Sequence, residues 1–404
     1  MTYTITRLGH HGDGIAEGPV FAPRTLPGEV IDGEVSDGRI AVPKIIIPSP
    51  DRVAAPCRHY KSCGGCSLQH ASDAFVAGWK QEVVRTALAA HNIEADLRPI
   101  QTSAPRTRRR AVFTGRRTKK DAHVGFHARG TDTITEIPDC LLLHPDLLAV
   151  IPALRALTVF GTSRKGEVRF TATRSDAGVD VAVTGAKPLD GQMLMTLASM
   201  AAEHGLARLT WDGEPIVDIA APFQMFGDIR VVPPAGAFLQ ATKEGEKALL
   251  SATLETISDA KHVLDIFSGC GTFALPIAAN AEVHAVEGDA AMLRALDQGW
   301  RQATGLKRVT TEVRDLFRRP LLPDEIMRFD AVVVDPPRAG AEQQFHEIAR
   351  AKPHKVAAIS CNPTSFARDA KTLTDAGYLL GQIDVIDQFR WSSHVELAAS
   401  FTLK

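Results

Sequence analysis

Apolar runs that end in an acidic residue recur along the C-terminal part of the chain. Three of them are Val283 to Glu287, Val313 to Asp315 and Ala331 to Asp335. An earlier apolar run leads instead into the turn Ser268-Gly269-Cys270-Gly271, which is followed by an apolar stretch, Ala274 to Ala279, that predicts a helix. This alternation predicts an α/β sheet, in which ligands bind outside the carboxyl ends of the strands.

The rest of the chain has other patterns. The first fifty residues form short β-type runs broken by glycine and proline, which is typical of a small OB-like β-barrel. Helical periodicity follows over Trp79 to His91, and alternation over Thr107 to Thr114 predicts strands. Proline-rich segments at 47–50 and 233–236 mark linkers. We therefore expect three domains: the barrel over 1–50, a central α+β domain over 51–235 and a Rossmann-like α/β domain over 236–404.

The glycine turn predicts a nucleotide-type ligand. Glycines allow the backbone to approach a ligand closely, Glu287 is placed for ribose hydroxyls, and Asp315 for an adenine amine. A dinucleotide is the competing ligand, but Ala274 replaces the third glycine of its fingerprint. S-adenosylmethionine is therefore favoured over a dinucleotide and over a pair of glycines needed only for packing.

A cysteine stands at the end of another apolar stretch in the C-terminal half, in Ser360-Cys361-Asn362-Pro363. The Asn-Pro turn favours an exposed loop over a buried structural thiol. Such a thiol suits methylation at C5 of uracil, because C5 is a poor nucleophile until a thiolate has added to C6. A base must then remove the C5 proton, and Glu396 is the candidate, with His394 as the alternative.

Four further cysteines lie in the N-terminal half. Cys57, Cys63 and Cys66 follow a C-x5-C-x2-C spacing, with Cys140 more distant. Thiolates crowded in this way need a metal or oxidation, and a cytosolic enzyme disfavours disulfides. Zinc and a 4Fe-4S cluster both remain open on spacing alone.

The net charge of −1 and the pI near 6.9 do not indicate a polycation. Basic residues are nevertheless dense between Arg106 and Lys120, where no carboxylate occurs. This density favours contact with nucleic-acid phosphates over a merely solvated edge strand. Phe113, within the same run, could pack or stack.

These motifs together resemble the bacterial RNA uridine-5-methyltransferase family, in its iron-sulfur ribosomal RNA branch, and the match runs nearly end to end. The cofactor loop Asp265 to Phe273, the Asp335-Pro-Pro-Arg338 loop, the motif around Cys361 and His394-Val395-Glu396 carry the resemblance, as does Phe238-Leu239-Gln240. The N-terminal region also resembles a TRAM domain, in the motifs Gly12-Asp13-Gly14-Ile15-Ala16 and Leu26-Pro27-Gly28-Glu29.

The resemblance implies a role for each matching residue. It makes Cys361 the nucleophile and Glu396 the base, and it implies a 4Fe-4S cluster on Cys57, Cys63, Cys66 and Cys140. Thr272 departs from the family, which often has asparagine there. The implied cofactor contacts are Gln240, Phe267, Thr272, Glu287, Asp315 and Asp335.

We therefore expect a cytoplasmic, monomeric, S-adenosylmethionine-dependent 5-methyluridine methyltransferase that acts on 23S rRNA. Its partner is RNA, and we expect neither a membrane partner nor an obligate protein partner. One alternative is the same chemistry on the T-loop uridine of tRNA. Another is a non-catalytic iron-sulfur RNA-binding protein.

Overall fold

The computed structural model describes residues 1–164 and 166–403. Its N-terminal sheet consists of five antiparallel strands that curl over a core including Ile5, Ala22, Ile31 and Ile40. The bounds of these strands are β1 (Thr2–Leu8), β2 (Gly14–Ala16), β3 (Val20–Ala22), β4 (Val30–Asp32) and β5 (Lys44–Ile47), in the order β3-β2-β1-β4-β5. This strand-rich unit agrees with the barrel-like N-terminal region expected from the sequence.

The helix α1 (Asp73–Ala89) and the short strand β6 (Gln101–Thr102) come next. α1 begins six residues before the periodicity predicted at Trp79. Its start is marked by a cap, because the Ser72 side chain accepts a hydrogen bond from the Phe75 N–H. Alanine and glycine weaken the apolar periodicity of its first turns, so the N-cap Ser72 is the sequence feature that marks where the helix starts.

The second sheet has seven strands in the order β13-β12-β11-β10-β7-β8-β9. Adjacent strands are antiparallel except β11 and β12, which are parallel. Its apolar side packs with three helices around residues such as Phe113, Phe170 and Trp211. The bounds are β7 (Arg110–Arg117), β8 (Ala122–His127), β9 (Ile134–Glu136), α2 (Pro145–Ala149), α3 (Ile151–Gly161), β10 (Glu167–Ser175), β11 (Gly178–Thr184), α4 (Gly191–Glu203), β12 (Leu206–Trp211) and β13 (Glu214–Asp218).

The C-terminal part contains the predicted α/β sheet. Its elements are β14 (Gln224–Phe226), β15 (Ile229–Val231), α5 (Lys243–Thr256), β16 (His262–Ile266), α6 (Ala274–Ile277), β17 (Glu282–Glu287), α7 (Ala290–Gln302), β18 (Val309–Val313), α8 (Pro323–Ile326), β19 (Ala331–Val334), α9 (Glu342–Ala351), β20 (Lys355–Ser360), α10 (Pro363–Asp375), β21 (Tyr378–Asp387) and β22 (Glu396–Leu403). β14 and β15 form a separate hairpin.

Eight strands form this sheet, in the order β18-β17-β16-β19-β20-β22-β21-β6. β18, β17, β16, β19 and β20 are parallel, and β22 runs antiparallel to both of its neighbours. The strand order reverses between β16 and β19, which is the switch point where open α/β sheets bind ligands. The α/β fold class is thus confirmed.

The sequence segment 51–235 contributes to this C-terminal sheet. β6 pairs with β21 in parallel, and Val84 and Leu88 of α1 belong to the same apolar core as Leu264 and Val332. α1 is also tied to the end of β21 by the buried Lys80, whose Nζ donates to Asp387 Oδ1 over 2.5 Å. The helix α1 is therefore fixed against the eight-stranded sheet, beside the carboxyl end of β21. Within the described ranges, no helix is long and apolar enough to cross a membrane.

Candidate active site

The turn after β16 leaves a cradle at the switch point. Phe267, Gly269 and Gly271 all have positive φ, of 61°, 56° and 95°. A Cβ added at Gly269 would meet no atom within 4 Å, so this position faces open space, whereas one at Gly271 would crowd Leu275 at 2.9 Å. The backbone conformation thus requires the two glycines, and it exposes backbone to a ligand at the first of them.

Glu287 lies at the end of β17 and borders this cradle. Its carboxylate accepts hydrogen bonds from the N–H groups of Gly269, at 3.0 Å, and Gly288, at 2.7 Å. Thr272 is half-buried in the same turn. The sequence prediction that Glu287 and the glycine turn come together agrees with this arrangement, and a ligand hydroxyl would meet a carboxylate that is already oriented.

Asp315 follows β18, one strand further out. Its side chain accepts hydrogen bonds from the backbone of Phe317 and Arg318 and is about half exposed. Phe317, which the sequence reasoning missed, is also exposed, and its ring centroid lies 5.5 Å from that of Phe267. The other Asp315 oxygen lies 3.5 Å from Arg318. A part-buried ring and an exposed ring beside a half-exposed carboxylate are suited to a flat, amine-bearing ring.

Two buried polar side chains in this region have no hydrogen-bond partner among the described residues. These are the Asp265 carboxyl, which is fully buried, and the Ser268 hydroxyl. Burial, together with the nearby charges of Asp335 and Glu287, raises the pKa of Asp265 well above its ordinary value. Orphaned buried groups are rare, so they favour a polar ligand at the cradle. The site therefore fits the S-adenosylmethionine expected from the sequence.

A chain of side chains connects the ends of β19 and β22. The Gln240 amide donates to Asp335 Oδ2 over 3.3 Å, and Gln388 donates both to Gln240 Oε1, at 2.5 Å, and to Glu396. The side-chain oxygen of Gln388, Oε1, accepts a hydrogen bond from the backbone N–H of Thr242. Gln388 was not predicted, because two of its three partners are 148 and 146 residues away and leave no local signal.

The two carboxyl groups of this chain hold their protons unusually tightly. Burial raises the pKa of Asp335 to about 7. Burial and the charge of Asp335 raise that of Glu396 to about 8, and Glu396 is only 4% exposed. A carboxyl that loses its proton near neutral pH is well matched to general-base work. The alternative base, His394, is exposed at the mouth of the cleft rather than in this buried chain.

Cys361 lies at the end of β20, part-buried and between these groups. Asn362 caps α10 by accepting from the Thr364 N–H, and its amide donates to the backbone oxygen of Arg338 over 2.9 Å. The two loops are thereby held together. Burial, then the charges of Glu396 and Asp335, raise the pKa of the Cys361 thiol to about 11, while Arg338 acts in the opposite direction.

The four N-terminal cysteines line one cavity of ≈ 270 Å³. Burial raises the pKa of Cys66 to about 12 and that of Cys63 and Cys140 above its usual value, and the charges of the other thiolates add to the effect. Within the described residues, no three Cys, His, Asp or Glu side chains are arranged around a single ion. The four thiols nevertheless line the same cavity, which is the feature expected of ligands that share a metal or a cluster.

The basic run between Arg106 and Lys120 does not form a uniformly charged surface. Arg109 is buried, where it pairs with Glu246, donates to the backbone oxygen of Gln240 and contacts Gln224. Arg110 donates to two backbone oxygens, and Arg116 pairs with Glu167. Phe113 is buried and stacks on Phe126. The basic side chains of this run that remain exposed are Arg106, Lys119 and Lys120.

Comparisons with known proteins agree with this fold and site. Residues 300–402 match the family model described as tRNA (uracil-5-)-methyltransferase. An uncharacterised RNA methyltransferase of Rhizobium meliloti is 43% identical over 99% of this chain and 98% of the relative. The 23S rRNA (uracil(1939)-C(5))-methyltransferase RlmD of Shewanella piezotolerans is 30% identical over 100% of this chain and 96% of the relative.

A solved structure shares the fold over the whole chain. The tRNA (uracil-54, C5)-methyltransferase of Pyrococcus abyssi, in complex with S-adenosyl-L-homocysteine, aligns with a TM-score of 0.78 at 21% identity, covering 100% of this chain and 99% of that one. The sheet with its switch-point cradle thus defines an S-adenosylmethionine-dependent methyltransferase. The chain belongs to the RNA uracil-5-methyltransferase family.

Proposed function

We propose that this protein transfers a methyl group from S-adenosylmethionine to C5 of a specific uridine in 23S rRNA through a covalent bond between Cys361 and C6. The observation that carries the proposal is the meeting of a thiol and a buried carboxyl of raised pKa, Cys361 and Glu396, at the ends of the neighbouring strands β20 and β22.

The first step is addition of the thiol. Cys361 loses its proton to solvent, helped by Arg338, and its thiolate forms a bond to C6. The C5–C6 π electrons move toward the C4 carbonyl as an enolate. C5 then takes the methyl group, and the bond from that methyl to the sulfonium sulfur breaks, which leaves S-adenosylhomocysteine.

The second step releases the product. Glu396 in its ionised form removes the C5 proton, the C5–C6 double bond returns, and the bond between C6 and sulfur breaks. The amide of Gln388 holds Glu396 in place, and that of Gln240 holds Asp335. The proposed cofactor contacts are Gln240, Phe267, Thr272, Glu287, Asp315 and Asp335.

We also propose that Cys57, Cys63, Cys66 and Cys140 hold a 4Fe-4S cluster. When bound, the cluster would tie the 57–66 loop to the segment around Cys140. Replacement of Cys66 by serine should remove iron and the visible absorbance of the purified protein, and a protein with unchanged iron content would contradict the assignment.

We further propose that the protein is cytoplasmic, that its N-terminal sheet is a TRAM domain, and that the chain divides into three domains at residues 50 and 235.

The choice of rRNA is supported by the Shewanella piezotolerans relative, which is named for 23S rRNA and matches over the whole chain. The same chemistry on tRNA is the second candidate, because the family model and the Pyrococcus abyssi structure are both named for tRNA. Mapping of 5-methyluridine by mass spectrometry in rRNA and tRNA from cells with and without the protein separates the two. Loss from 23S rRNA supports the proposal, and loss from tRNA alone overturns the choice of substrate.

The covalent mechanism is tested with two variants. Cys361→Ala should abolish turnover while S-adenosylmethionine still binds, as measured by calorimetry. Glu396→Gln should accumulate a protein–RNA adduct that survives denaturing electrophoresis, because proton removal precedes release. Methylation by the alanine variant, or a freely released methylated product from the glutamine variant, would contradict the roles.

A further inference from the structure

A groove of ≈ 780 Å³ leads away from Cys361, between the N-terminal sheet and α1. Its floor includes Cys361 and Arg338, one side is formed by Arg7 and His10 at the end of β1, and the other by α1. The volume lies within the range of about 300 to 1,000 Å³ that is common for ligand sites. Because the uracil ring itself must occupy the space at Cys361, the remainder of the groove is available to whatever adjoins that ring.

The α1 side of the groove presents two aromatic side chains. Phe75 and Trp79, at i and i+4 on one face of the helix, are both part-exposed and both line the groove. Their inner sides pack on a small apolar cluster that includes Leu8, Leu26 and Val76. Neither ring can therefore withdraw far from the groove.

Gly78 keeps space open beside these rings. It lies within α1, is exposed, and an added Cβ would meet no atom within 4 Å. Glycine inside a helix is less stable than alanine, so nothing in the fold itself favours it here. Its absence of a side chain leaves room for a flat group to lie against Trp79.

The charges around the groove favour an anion. Arg7 and Arg338 line it as cations, and the acidic Glu82 is engaged on α1 by Thr86 and lies 3.7 Å from Arg85. The His10 ring also lines the groove, but burial and the charges of His11 and Arg338 lower its pKa, so it adds little to the positive charge. Basic groups beside exposed aromatic rings are the combination with which proteins hold single-stranded nucleic acid, since bases stack on rings and phosphates meet cations. A folded duplex would not expose its bases to such a wall.

We propose that Trp79, with Phe75 beside it, is a stacking platform for an unpaired nucleotide next to the target uridine. The inference rests on the proposed function for the identity of that uridine, but it concerns a binding site outside the reacting atoms. The platform would hold the RNA strand open while the target base lies at Cys361. It therefore acts on affinity for single-stranded RNA and on the KM for RNA.

The test uses wild-type protein without S-adenosylmethionine and a single-stranded RNA of about 12 nucleotides, within the size range of such sites. Binding should quench tryptophan fluorescence, and Trp79→Phe should remove the quenching while it largely retains the affinity. Trp79→Ala should weaken binding about 5- to 150-fold, as expected for loss of one stacked base. Trp300→Ala, which removes a part-exposed tryptophan on α7 away from the groove, is the matched control and should bind normally.

A second variant protects the test against misfolding. Gly78→Leu removes no packed side chain and places bulk in the groove, so it should unfold no more easily than the wild type yet raise the KM for RNA with little effect on kcat. Unchanged affinity in both Trp79→Ala and Gly78→Leu would overturn the platform, as would quenching that persists in Trp79→Phe.

Failure of the platform and failure of the proposed function give different results. Quenching of Trp79 by RNA in a protein that forms no 5-methyluridine would leave the platform in place and refute the enzymatic role. Normal methylation without quenching would refute the platform alone, and the groove would then be open to a partner other than RNA.

Discussion

Replacing Glu396 with glutamine should stabilise the protein, and increasingly so as the pH rises. Glu396 is 4% exposed, and burial with the charge of Asp335 raises its pKa from 4.5 to about 8. Below pH 4.5 the carboxyl is protonated in both the folded and the unfolded chain. Between the two values the unfolded chain loses the proton and the folded chain keeps it, so the free energy of unfolding falls with rising pH.

The interval from 4.5 to about 8 corresponds to about 5 kcal/mol, at 1.36 kcal/mol for each pKa unit. Glutamine has the shape of the protonated acid and does not titrate. Its side-chain oxygen can still accept the hydrogen bond that Gln388 donates to Glu396. The variant should therefore match the wild type near pH 4.5 and exceed its free energy of unfolding by several kcal/mol above pH 8, with about 5 kcal/mol as the limit.

Urea unfolding of both proteins, followed at intervals between pH 5 and about 9, measures this difference, because contributions common to the two proteins cancel. Glu203→Gln, at the exposed end of α4, removes the same charge where nothing desolvates it and is the control. A difference between wild type and Glu396→Gln that stays constant across this range would show that Glu396 is ionised throughout. The inference that the folded protein keeps Glu396 protonated up to neutral pH would then be wrong.

Two further substitutions test the electrostatics around this site. Arg338→Gln removes the charge that lowers the thiol pKa of Cys361, so methylation should decrease at neutral pH and the rising limb of the kcat/KM profile should move to higher pH, measured by transfer of labelled methyl groups from about pH 6 to about pH 10; an unmoved limb would contradict the assignment. Lys80→Met leaves Asp387 buried without its cation and should cost about 3–5 kcal/mol of unfolding free energy, and adding Asp387→Asn should recover part of it, both measured by urea unfolding. Equal stability of the single and double variants would contradict the buried pair.

Local sequence patterns were sufficient to predict much of the C-terminal sheet. β17 ends at the predicted Glu287, the predicted Asp335 directly follows β19, and the turn between β16 and α6 contains the predicted glycines. These features depend on neighbours within a few residues, where strand periodicity and glycine conformations can be read directly. The predicted helix from Ala274 to Ala279 is shorter, since α6 ends at Ile277.

The features that the sequence did not reveal depend on distant partners. Gln388 joins Gln240 to Glu396, Phe317 meets Phe267 across two strands, and β6 pairs with β21 although 276 or more residues separate them. None of these pairs leaves a local signal, because each side chain is ordinary in its own segment. The candidate site was therefore predictable as a set of reacting groups but not as a hydrogen-bonded chain.

The arginine run shows how composition can mislead about a surface. Arg109 directly precedes β7, donates to the backbone oxygen of Gln240 and pairs with Glu246 of α5. It therefore joins the seven-stranded sheet to α5, which packs on the eight-stranded sheet. Burying a guanidinium is costly unless its donors are satisfied, and here carboxylate, amide and backbone oxygens do so. A cation used in this way is unavailable to phosphate. Phosphate contacts in a chain of net charge −1 are therefore to be sought at exposed cations outside this run, above all at Arg7 and Arg338, which border the groove that leads to Cys361.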